Sequence, residues 1–165
     1  MLLKIIRIVY HAVATAITII GFTVILLFLV GIRPYAVQTG SMEPEIMTGS
    51  LCFVNQNVSF SEIHEGDIVA FRLDGGMLVT HRVKEVREDG FVTKGDANNT
   101  EDATIITNNE YIGKTIYWIP KIGYLFMFLH TRNGMITGSC IFLVFFLAGF
   151  LFDNEEENGG NAHDK

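Results

Sequence analysis

The chain has 165 residues, 49% of them hydrophobic, and carries a formal net charge of −6. Its mean hydropathy of +0.34 is too high for an ordinary soluble domain of this size, and the excess lies in two blocks, one near each end. An acidic chain with no basic stripe argues against a nucleic-acid binder, since no stripe is there to neutralise phosphates.

Residues 1–11 hold Lys4 and Arg7 and are expected to be a cytoplasmic N-terminus by the positive-inside rule. The first apolar block, 12–31, reads AVATAITIIGFTVILLFLVG and has no charge. A helix of that length spans about 30 Å, the thickness of a hydrocarbon core. A cleaved signal peptide fits poorly, because the run is longer than an h-region and no Ala-x-Ala follows it. The second block, 134–152, is also uncharged and is expected to span too. The bland alternative for both is a buried core helix, but a domain of about 100 residues could not enclose two of them. Two spans return the C-terminus to the cytoplasm, where 153–165 forms an acidic tail, polar and expected to lack structure. The predicted location is therefore the plasma membrane, multi-pass, with residues 32–133 outside.

That middle segment reads as a small, mainly β domain. LCFV, from Leu51, suits a buried strand. IVAFR and MLVTHRV form an expected hairpin joined at Asp74-Gly75-Gly76, and a second hairpin turns at Asp89-Gly90. YIGKTIYWI is a further strand, closed by Pro120. IPKIGYLFMFLH is apolar but too short to cross a membrane. It is expected either to dip into the membrane interface, with Trp118 and Tyr124 at headgroup level, or to be a core strand. Cys52 and Cys140 have no zinc spacing, and the second lies in a span, so neither a metal site nor a disulfide is expected.

Three groups in this domain could support nucleophilic chemistry. Ser41 lies in TGSMEP, His81 in LVTHRV, and Asp96 and Asp102 in TKGDANNTED. A serine hydroxyl needs a base, an imidazole can be that base, and a carboxylate can fix the imidazole's tautomer. Each also has a plain structural reading. Ser41 is a turn residue, the aspartates are solvated loop acids, and His81 alternates onto the apolar side with Met77, Val79 and Val83. Spacing alone leaves both readings open.

The ordered segments GSMEP, GDIVAFR, THRV, KGDANNTED and IGKTIYWIPKIGY, over roughly residues 37–124, resemble the ordered boxes of the type I signal peptidases. The common bacterial form has a lysine base in the fourth box. A histidine there resembles the endoplasmic-reticulum-type subgroup, including the SipW-like bacterial signal peptidases. The resemblance implies Ser41 as nucleophile, His81 as base, Asp102 as principal acid and Asp96 as support. It implies Thr39 and the Ser41 N–H as an oxyanion hole, although Thr39 stands where lysine-type enzymes have serine. Met42 and Pro44 are expected at the substrate-binding turn. No cofactor is implied. The implied partners are signal-peptide-bearing preproteins, membrane lipid and the secretion translocon. Only about ten residues join the first span to Ser41, a reach of at most about 35 Å. The resemblance thus predicts a membrane-bound serine endopeptidase acting by Ser-His, Asp-assisted acyl-enzyme hydrolysis. The alternatives are a Ser-Lys protease, with Lys84 on the wrong face, and a catalytically silent β module that binds exported proteins.

Overall fold

A computed structural model describes residues 2–73 and 75–160, with side chains described from Lys4 to Gly149 apart from Asp74. It divides into two compact units. One spans Leu26–Met127, and the other joins the terminal segments on either side of it.

The unit Leu26–Met127 is built on one six-stranded antiparallel sheet. Its strands are β1 (Ile32–Ala36), β2 (Leu51–Asn55), β3 (Ile68–Arg72), β4 (Leu78–Arg87), β5 (Gly90–Lys94) and β6 (Tyr111–Ile119), in the order β1-β2-β6-β3-β4-β5. The mainly β expectation therefore holds, with a membrane-length helix towards each end of the chain. β3 and β4 form the first expected hairpin, with Arg72 opposite Leu78. Asp74 of its turn lies outside the described residues. β4 and β5 form the second, but Arg87 pairs with Gly90, so the two turn residues are Glu88-Asp89, one position earlier than expected. β1 is an addition that sequence patterning did not supply. Pro34 interrupts it, and the sheet tolerates a residue without an N–H there because β1 is an edge strand.

Adjacent residues of a strand face opposite sides of a sheet, and β3 shows both cores at once. Val69 and Phe71 join Ile63, Val83, Phe91 and Ile106 in one buried cluster. Ile68 joins Met42, Ile46 and Cys52 in the other, with Trp118 packed on it. Burial pushes the Cys52 thiol up to about 11, which keeps it unreactive at neutral pH.

The segment after Pro120 is a helix rather than the core strand that was one of its two expected forms. Lys121 takes a left-handed φ of 67°, which turns the chain out of β6 and into the helix α2 (Ile122–Leu129). Periodicity could not separate helix from strand in so short an apolar run. Gly123 of α2 is buried against the backbone of Gly49 and Ser50, an approach that leaves no room for a β-carbon. Trp118 is half-buried in the core beside Met42, whereas Tyr124 is exposed.

In the terminal unit, α1 (Leu2–Leu29) and α3 (Arg132–Gly160) are long and apolar enough to cross a membrane over Lys4–Leu29 and Arg132–Gly149. None of the first window and only 11% of the second is buried, unlike the core helices of a soluble protein. The Tyr10 ring stacks on Phe145 at 4.6 Å, and buried Gly149 leaves space for the Tyr10 hydroxyl. α3 also corrects the expectation for the tail, since the helix continues through the acidic run to Gly160. Extending an existing helix avoids the cost of nucleation, and glutamate is a good helix former. Residues 161–165 lie outside the described residues.

Candidate active site

The segment between β1 and β2 folds as a compact turn because two apolar side chains anchor it. Met42 and Ile46 are buried, and the Ile46 N–H donates to the Met42 carbonyl. The Glu43 carboxylate accepts bonds from the Thr48 N–H and hydroxyl, which hold it below the usual carboxylate range. The Glu43-Pro44 bond is cis. With its neighbour Met42 pinned inward, Ser41 is left half-buried at the surface.

β4 supplies His81. Alternation places its side chain opposite Val69, on the face of Val79 and Val83, and it is 7% exposed. The Phe71 ring meets the imidazole edge to face at 6.1 Å. Across the sheet edge, His81 Nε2 lies 3.1 Å from Ser41 Oγ, and Nδ1 lies 2.6 Å from Asp102 Oδ2. A carboxylate only accepts hydrogen bonds, so Nδ1 carries the proton. Nε2 is then the acceptor, facing the serine hydroxyl. The arrangement can draw a proton from Ser41 and stabilise the imidazolium that results.

The chain from Gly95 to Thr107 holds these parts together. It leaves β5 and returns alongside it, closed at its neck by paired bonds between Phe91 and Ile106. The Asp102 N–H donates to the Thr93 carbonyl at 2.8 Å, and Thr93 Oγ1 donates to Asp102 Oδ2 at 2.7 Å. At the start of the loop the Ala97 N–H donates to the Ser41 carbonyl at 2.9 Å. Gly95 permits this, since a β-carbon on it would lie 2.5 Å from that oxygen.

Asp96 has a different partner. Its two oxygens accept bonds of 2.9 and 2.7 Å from Nε and Nη2 of Arg82, which also donates to the Gly66 carbonyl. The guanidinium holds the Asp96 carboxyl below its usual range. Asp96 thus joins β4 to the loop without a hydrogen bond to His81. Thr39 is exposed, and its hydroxyl makes no hydrogen bond among the described residues. Of the two expected substrate-binding residues, Pro44 is exposed, while Met42 points into the core at 1% exposure. Met42 can therefore shape the turn but cannot wall a pocket. Lys84 is exposed on β4 and has no part in the cluster.

Thr93 escaped sequence reading. A threonine in a strand is ordinary, and only its alternation with Phe91 hinted that it pointed inward.

Ser41, His81 and Asp102 thus stand in hydrogen-bonded series on a β domain flanked by two helices long and apolar enough to cross a membrane. Residues 7–116 match the family described as signal peptidase, peptidase S26, and the chain belongs to that family. It is similar to signal peptidase I W of Bacillus subtilis (strain 168), with 38% identity over 77 residues, covering 44% of this chain and 40% of that protein. It is also similar to the signal peptidase complex catalytic subunit sec11 of Neurospora crassa, with 33% identity over 108 residues, covering 56% and 61%. The human catalytic subunit SEC11C is 31% identical over 100 residues, covering 53% and 52%. The chain thus spans about half the length of these relatives. They agree with the resemblance to the endoplasmic-reticulum-type, SipW-like subgroup.

Proposed function

We propose that this protein is a membrane-bound signal peptidase that removes signal peptides from exported preproteins at the outer membrane surface. The observation that carries the reading is the hydrogen-bonded series from Ser41 Oγ through His81 to Asp102. Ser41 Oγ attacks the scissile carbonyl carbon as its proton passes to His81 Nε2. Asp102 holds the Nδ1 proton and balances the charge on the ring. The tetrahedral oxyanion is received by the Ser41 N–H, which has no partner among the described residues, and by the Thr39 hydroxyl. His81 then protonates the departing amine. Water, deprotonated by His81 in turn, cleaves the ester and restores the hydroxyl.

The sheet also offers a place for the substrate chain. β5 pairs with β4 only from Arg82 onward, so among the described residues Leu78–His81 have no strand partner on that side, an edge that runs up to the base. An extended peptide added at that edge would present its carbonyl to Ser41, with alternate side chains facing the protein. Both termini lie in the cytoplasm and the β domain outside, with lipid and the secretion translocon as neighbours. The test is cleavage of an Ala-x-Ala preprotein by the full-length chain in lipid. Wild type should cut, and Ser41→Ala and His81→Ala should not. A folded wild type that cuts no preprotein would point instead to a silent binding module.

A further inference from the structure

The proposed reaction uses three side chains, yet the acid among them is held by a fourth. Thr93 is fully buried on β5, and its hydroxyl reaches the same Asp102 oxygen that meets His81. Its carbonyl also accepts the Asp102 N–H. The residue therefore grips the aspartate at both main chain and side chain. A carboxylate on a loop can rotate about two side-chain torsions and turn either oxygen to solvent, and Asp102 is partly exposed. His81 Nδ1 and the Thr93 hydroxyl meet the same carboxylate oxygen, so turning that oxygen away from the imidazole would break both bonds.

We propose that Thr93 is a positioning residue for the reaction, its hydroxyl fixing the Asp102 carboxylate on His81 Nδ1. This rests on the reading of Ser41, His81 and Asp102 as the reacting series. Thr93 touches no reacting atom. It acts by keeping the imidazole in the tautomer with Nε2 free, a geometry that hydrogen bonding at the far nitrogen sets.

The experiment measures kcat and KM separately for the full-length chain in lipid with an Ala-x-Ala preprotein. Thr93→Val keeps the shape of the side chain and deletes the hydroxyl. It should lower kcat about tenfold to a hundredfold, the scale of a lost hydrogen bond to a charged group, and leave KM unchanged. Thr93→Ser should restore most of the loss. In an Asp102→Asn background, Thr93→Val should cost less than about twofold, since residues acting through one another are not additive. Thermal unfolding of each variant separates activity from folding, and Thr93→Ala runs the same cycle if valine is not accommodated. An unchanged kcat, a serine variant as slow as the valine one, or a full loss in the Asp102→Asn background would each overturn the proposal. If Ser41→Ala or Asp102→Asn is as active as wild type, the reading of the site itself fails. If those variants collapse while Thr93→Val does not, only the role of Thr93 falls.

Discussion

Two carboxylates six positions apart on one loop have opposite partners. Asp102 meets His81 and Thr93, while Asp96 meets the Arg82 guanidinium in a two-pronged pair. His81 and Arg82 are neighbours on β4, so the strand's alternation sends one to each aspartate. The loop is thereby tied to a single strand at two points on opposite faces. One tie sits in the proposed chemistry and the other holds the loop in place. A sequence window shows two acids in a polar loop. Their difference arises entirely from the residues across from them.

The sharpest way to break that contrast is at the serine and the base. Ser41→Ala and His81→Ala should each lower kcat by roughly three to six orders of magnitude in the lipid assay, the range for members of such a triad. If His81→Ala cuts well, the base is elsewhere and Asp102 has no special role. Next in size, Asp102→Asn should cost about three to four orders in kcat by favouring the wrong tautomer. Asp96→Asn should cost far less in kcat while lowering thermal stability. A reversal of these two would exchange the roles assigned to the acids. Gly95→Ala comes third. Its new methyl would press on the Ser41 carbonyl, and we expect a loss of about 1–3 kcal/mol of stability, read by denaturation.

The smallest expected effects are in pH. Activity should fall as the medium is acidified, because a protonated base cannot accept the serine proton. A flat profile from pH 5 to 8, with chemistry limiting, would count against His81. The Asp96 pair should act lower. Its carboxyl is held below the unfolded value by Arg82, so the unfolded chain binds more protons in acid. That stability is present above about pH 4 and lost as pH falls through the folded value. Asp96→Asn should flatten this part of the stability curve, measured by denaturation from pH 6 down to 3.

Much of the architecture could be read along the chain. Uncharged runs of membrane length stand out by composition. LCFV, IVAFR, MLVTHRV and YIGKTIYWI combine alternation or β-branching with clear turn signals, and apart from Met77 all their residues lie in the sheet as strands. The edge strand at Ile32–Ala36 was hidden because a proline argues against a strand until its place at a sheet edge is known. The helix at Ile122–Leu129 was hidden because its residues are apolar all round and carry no period.

The candidate site divides in the same way. Ser41, His81 and the two aspartates could be named from residue chemistry and box order, since those properties are local. Which aspartate meets the histidine, that Met42 faces inward, and that Thr93 grips Asp102 could not. These depend on contacts between residues 9 to 40 positions apart, and on which side of β4 each loop oxygen approaches. Sequence determined the kinds of groups available and the strands that carry them. Only the tertiary structure decided the pairings, because hydrogen bonds act over about 3 Å in space and are indifferent to separation along the chain.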